Sequence, residues 1–78
     1  MSSVYYPLTC KQVVAALRQL GFEQRPNKAT SHEQWVAQEP FRKVTVDKHE
    51  QPFNQDLVSS MARQAGLTKK AFYQLVKE

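Results

Sequence analysis

The segment from Ser31 to Ala37 constrains the fold of this chain more than any other. Its side chains alternate between the two faces of an extended strand, and Trp35 shares a face with Ala37. A tryptophan carries a large apolar area, so we expect this face to pack against helices. His32 falls on the other face, where its imidazole can meet solvent and a ligand.

A second alternating segment runs over Lys43–Asp47, with Val44 and Val46 on its apolar face. Glu39-Pro40 separates it from the first, because a proline interrupts the hydrogen bonding of a strand. A short strand over Phe22–Arg25 precedes both, and Pro26, Asn27 and Lys28 favour a turn after it. The three segments predict an antiparallel meander.

A helix is predicted before these strands, over Thr9–Leu20. Its apolar residues recur at helical spacing, and Thr9 and Gln12 can form the reciprocal hydrogen bonds of a capping box. Gly21 favours the left-handed conformation that ends a helix, and Phe22 can fold back onto the last turn. The helix should therefore end at this glycine.

Two further helices are predicted after the strands. Asn54 is a good N-cap, and apolar residues repeat at helical intervals from there to Gly66. Thr68 caps a short last helix over Lys69–Val76. The sequence therefore predicts an α+β fold of order α-β-β-β-α, with a short C-terminal helix added and both main helices on one face of a three-stranded antiparallel sheet.

The length of 78 residues suits one domain, and we expect residues 1–78 to form it, with an irregular arm over residues 1–8. Pro7 keeps this arm extended. Tyr5 and Tyr6 in the arm can either stack on bases or cover an edge of the core.

Charge and composition limit the function classes. The formal net charge is +4 and the sequence pI is near 9.5, which favours an acidic partner such as RNA, DNA or an acidic protein surface. No apolar run approaches the roughly 18 residues of a membrane span, and the N-terminus lacks a signal-peptide pattern, so a cytoplasmic protein is expected. The single Cys10 cannot form an internal disulfide, and no metal or cofactor motif stands out.

Four short motifs, taken in order, resemble those of the HicA (YcfA-like) toxin family. They are Gly21-Phe22, Ser31-His32, Val44-Thr45-Val46 followed by His49, and Ala65-Gly66-Leu67-Thr68. The resemblance covers about Thr9 to Val76 and implies a fold like that of double-stranded RNA-binding domains. The chain departs from the family pattern at Thr30, where glycine is usual, and at Asp47, where proline is usual.

The resemblance implies the toxin of a type II toxin–antitoxin system, a metal-independent and cofactor-free endoribonuclease that cuts messenger RNA. It implies a HicB-like antitoxin as the inhibiting partner, with a monomer when free and a hetero-oligomer in the complex. His32 would be the general base, since a neutral imidazole can take a proton near neutral pH. The residues expected to contact RNA are Arg25, Lys28, Thr30, Ser31, Lys43, Lys48 and His49.

Other interpretations remain open on the residues alone. Without the family resemblance, His32 is more often an ordinary surface or core histidine. Ser31 either binds a phosphate or finishes the turn, and His49 either serves as an acid or caps backbone groups. A non-catalytic RNA-binding module would use the same fold and basic surface without needing His32. A small partner-binding adaptor is a third possibility.

Overall fold

The computed structural model describes residues 6–26 and 32–77. In chain order the elements are α1 (Cys10–Gln19), β1 (Glu23–Gln24), β2 (His32–Ala37), β3 (Arg42–Asp47), a 3₁₀ turn (Lys48–Glu50), α2 (Gln55–Gln64) and α3 (Lys69–Lys77). The three strands form one antiparallel sheet in the order β1-β2-β3. The predicted α+β fold, like that of double-stranded RNA-binding domains, is confirmed.

The buried face of the sheet is the one predicted from the alternation. Trp35 on β2 lies opposite Val44 on β3, and both are buried together with Val46. These side chains belong to one hydrophobic core with residues of all three helices. The Arg18 guanidinium of α1 covers the Trp35 ring, at 5.4 Å from the ring centroid. The other face of the sheet, which we call the outer face, points away from the helices.

Both ends of α1 have the predicted form. The Gln12 N–H donates to Thr9 Oγ1 at 3.2 Å, and the Thr9 N–H donates to Gln12 Oε1 at 2.8 Å, which completes the capping box. At the other end Gly21 takes a φ of 92°, and the Phe22 N–H donates to the Leu17 carbonyl at 3.0 Å. This Schellman-type bond turns the chain into β1.

The two later helices begin at the predicted caps. Asn54 Oδ1 accepts from the Leu57 N–H at 2.9 Å, and Thr68 Oγ1 accepts from the Ala71 N–H at 3.1 Å. The segment between β3 and α2 contains the 3₁₀ turn Lys48–Glu50. This turn forms because the Asp47 side chain accepts from the N–H of His49 and so caps its start.

The last helix packs into the core through two consecutive aromatic residues. Phe72 and Tyr73 are both buried. The Tyr73 hydroxyl donates to the Tyr6 carbonyl at 2.7 Å, and the two rings meet edge to face at 5.5 Å between centroids. Tyr6 therefore covers an edge of the core, while Tyr5 lies outside the described residues.

The end of the N-terminal arm is also held in place. Leu8, predicted as part of an irregular segment, is fully buried and forms an isolated antiparallel bridge with Phe53. The Leu8 N–H donates to the Phe53 carbonyl at 3.0 Å, and the Phe53 N–H donates to the Leu8 carbonyl at 2.7 Å. The bridge holds the start of α1 against the segment that leads into α2.

Candidate active site

The first residue of β2 and the last residue of β3 face each other across the sheet. His32 lies opposite Asp47 in the strand register, and its Nε2 is 2.9 Å from Asp47 Oδ2. The His32 side chain is 58% exposed and that of Asp47 is 28% exposed. The imidazole is therefore open to solvent, as the alternation predicted, beside a carboxylate that is largely covered.

The register explains why these two side chains touch. The Thr45 N–H points away from β2 and donates to Gln64 Oε1 of α2 at 3.2 Å, so Thr45 and its opposite residue form a pair without backbone hydrogen bonds. Pairs of this kind alternate along an antiparallel ladder, so His32 and Asp47 form another. The Cα atoms are closer in such pairs, and side chains on the same face come into contact.

The Asp47 carboxylate is held by a second contact. Its Oδ1 accepts from the His49 N–H at 3.0 Å while its Oδ2 faces the imidazole. One oxygen thus caps the 3₁₀ turn and the other meets His32. The carboxylate cannot rotate without losing one of these contacts.

Two of the predicted RNA contacts share the outer face of the sheet with His32. The Arg25 N–H donates to the Gln34 carbonyl at 2.8 Å, which continues the β1–β2 register by one residue and places Arg25 opposite Gln34. Lys43 lies opposite Val36. Opposite residues point to the same face, and both basic residues are exposed. Lys43 is four residues from Asp47, roughly 13 Å along the strand.

Lys48 is directed elsewhere. Its Nζ lies 3.4 Å from Glu33 Oε2, and Glu33 also accepts a hydrogen bond from Trp35 Nε1 at 3.0 Å. Glu33 and Trp35 belong to the opposite face of β2 from His32, so the structure does not bring Lys48 onto the outer face. The contact of Lys48 with RNA stays a prediction.

The remaining predicted contacts are placed only in part. His49 is exposed and lies two residues beyond Asp47, to which its backbone is bonded. Lys28, Thr30 and Ser31 lie outside the described residues.

The contact of Asp47 with His32 was not predicted from the sequence, where Asp47 was noted as the last residue of a strand and as a departure from the family pattern. The pairing of the two strands could have indicated this contact, because a register with Trp35 opposite Val44 places residue 32 opposite residue 47. Pairing Trp35 with Val46 would have satisfied the same alternation. The apolar pattern was therefore compatible with more than one register.

The other reactive groups in the described part of the chain form no second centre. Among residues 6–26 and 32–77, no group of three or more histidine, cysteine, aspartate or glutamate side chains could hold a metal ion. Burial raises the pKa of the Cys10 thiol, and the nearby Glu33 carboxylate raises it further. The thiol is therefore kept in its protonated, unreactive form.

None of the helices within the described part of the chain is long and apolar enough to cross a membrane.

Comparison with known protein families decides the relationship. The family model described as the HicA toxin of bacterial toxin–antitoxin systems matches residues 10–67, more than half of the chain. The chain belongs to the HicA toxin family. No significant match is found among curated proteins or among solved structures. The matched region runs from the start of α1 to the residue after Gly66 and includes the sheet with His32 and Asp47.

Membership of the HicA family has a direct consequence. The chain is the toxin component of a toxin–antitoxin system, and the family implies an antitoxin as its partner. The four motifs noted in the sequence lie within the matched region, apart from Thr68, which directly follows it.

Proposed function

We propose that this HicA toxin is a metal-independent endoribonuclease that cleaves messenger RNA with His32 as general base. One observation carries the proposal: the family match includes a histidine that is exposed on the outer face of the sheet, on the same face as Arg25 and Lys43. An accessible imidazole can act as a general base, and basic side chains on the same face can hold the RNA phosphates.

The reaction would be an internal transesterification. His32 takes the proton from a ribose 2′-hydroxyl, and the 2′-oxygen forms a bond to the adjacent phosphorus. The bond from phosphorus to the 5′-oxygen breaks, and that oxygen takes a proton from solvent. The products are a 2′,3′-cyclic phosphate and a 5′-hydroxyl, with no change in redox state. No metal ion is needed because the RNA itself supplies the nucleophile.

Basic side chains on the outer face would hold the RNA and stabilise the charge that develops on the phosphate. Arg25 is the better placed of the two described candidates, since it lies opposite Gln34, the residue two positions from His32 on β2. Lys43, farther along the sheet, would contact a neighbouring phosphate. We further propose that the family's antitoxin partner is HicB-like, that it inhibits the toxin in a hetero-oligomer, and that the free toxin is monomeric.

Labelled single-stranded RNA incubated with the purified toxin in EDTA tests the proposal. We expect cleavage to products that end in a cyclic phosphate and a 5′-hydroxyl. An oligonucleotide with one ribose, at the preferred site, should be cut only there, and replacing that ribose by deoxyribose should abolish the cut. Binding of RNA without any cleavage would instead identify a non-catalytic RNA-binding module.

The Arg25→Ala variant tests the RNA-binding face separately from the chemistry. We expect weaker RNA binding. The slope of log Kd against the logarithm of the salt concentration should be smaller by roughly 0.7, the value for one phosphate contact on a single strand. Arg63→Ala is the matched control, because Arg63 is exposed on α2 and its loss changes the net charge equally. Equal salt slopes for the two variants would show that Arg25 makes no specific phosphate contact.

A further inference from the structure

We propose that Asp47 is a positioning residue that fixes the tautomer of His32, with the proton on Nε2 and the lone pair on Nδ1. The contact of 2.9 Å between Nε2 and Oδ2 is the observation behind this proposal. A neutral imidazole has one donor nitrogen and one acceptor nitrogen, whereas an ionised carboxylate only accepts. The nitrogen that faces Asp47 must therefore carry the proton.

The surroundings of Asp47 make this contact a stable one. Oδ1 is occupied by the His49 N–H at 3.0 Å, and the side chain is more than two-thirds covered. The strand register also brings the Cα atoms of His32 and Asp47 close together, as described above. The carboxylate is thus oriented before any ligand binds, and it orients the imidazole in turn.

The catalytic consequence rests on the proposed function. If His32 is the general base, Nδ1 is the atom that takes the proton from the 2′-hydroxyl. The imidazolium that forms then keeps its Nε2–H on Asp47, where the negative carboxylate stabilises the new positive charge.

The Asp47→Asn variant should change the tautomer of His32 and leave the fold unchanged, because an amide has nearly the shape of a carboxylate. The amide oxygen can keep the bond from the His49 N–H, which turns the amide NH₂ toward His32 Nε2. Nε2 must then become the acceptor, and the ring proton must move to Nδ1. The variant therefore presents the wrong nitrogen to the RNA without removing a side chain.

Nitrogen-15 NMR of the ring at a pH where the imidazole is neutral measures the tautomer directly. We expect the Nε2–H form for His32 in the wild-type protein and the Nδ1–H form in Asp47→Asn, with His49 as a reference ring in the same sample. A wild-type His32 in the Nδ1–H form, or an equal mixture, would overturn the proposal. That result requires no variant to fold and no RNA to be cut.

Kinetics then test the catalytic consequence. We expect kcat of Asp47→Asn to fall by about 10- to 100-fold with KM within about 2-fold, because the loss affects proton transfer and not binding. Glu50→Gln is the matched control: it removes one negative charge from an exposed side chain three residues away and should leave the rate unchanged. A wild-type rate for Asp47→Asn with a switched tautomer would refute the catalytic role. A correct wild-type tautomer in a protein that cuts no RNA would instead refute the nuclease function and leave the positioning intact.

Discussion

The His32→Ala variant is expected to cleave RNA about 100- to 10,000-fold more slowly than the wild-type toxin while it remains folded. General-base catalysis contributes rate factors of about this size, and alanine leaves no group able to take the 2′-hydroxyl proton. The His32 side chain is 58% exposed and belongs to no part of the core, so its loss should change the free energy of unfolding only slightly. Cleavage rates under single-turnover conditions and urea unfolding curves measure the two effects.

A matched variant keeps this result interpretable. Gln38→Ala removes a polar, exposed side chain that follows β2 directly, and we expect wild-type cleavage from it. RNA affinity should also be measured, because the proposal predicts that His32→Ala still binds RNA through Arg25 and Lys43. Undiminished cleavage by a folded His32→Ala protein would show that another group acts as the base.

The Phe72→Ala variant should lose about 3–5 kcal/mol of unfolding free energy. Phe72 is fully buried in the core between α3 and the rest of the molecule, and its removal leaves a cavity that small domains close only in part. A domain of this size has only about 5–15 kcal/mol of stability in total, so the variant should unfold at much lower urea concentration.

Gln74→Ala is the control for this experiment, because Gln74 lies on the same helix with an exposed side chain. We expect a change within about 0.5 kcal/mol. Equal unfolding midpoints for the two variants would mean that α3 docks weakly and can detach without unfolding the domain. Circular dichroism and tryptophan fluorescence should report one transition in both proteins if α3 is part of the core, since Trp35 lies in that core.

The helix ends and the strand faces were predictable because they depend on residues close together in the chain. The capping box of Thr9 and Gln12 and the glycine that ends α1 involve neighbours within one turn, so their spacing in the sequence is their spacing in space. The inward position of Trp35 and the outward position of His32 follow from the two-residue period of a strand in the same way.

The partners of the polar side chains were not predictable from local pattern alone. The ion pair of Lys48 with Glu33, which is distant in the chain and close in space, does not follow from the local pattern. The buried Tyr73 hydroxyl donates to the carbonyl of Tyr6 near the opposite end of the chain, a partner that no local pattern indicates.

The order of the elements, the buried face of the sheet and the exposure of one histidine follow from the spacing of residues along the chain. The contact of this histidine with Asp47 needs the folded sheet, because it depends on the hairpin register and on which pairs of the ladder lack backbone hydrogen bonds. A shift of the register by two residues would have kept the same apolar pattern in the core and given His32 a different neighbour. Periodicity sets the face to which a side chain points, whereas register and packing set what it touches there.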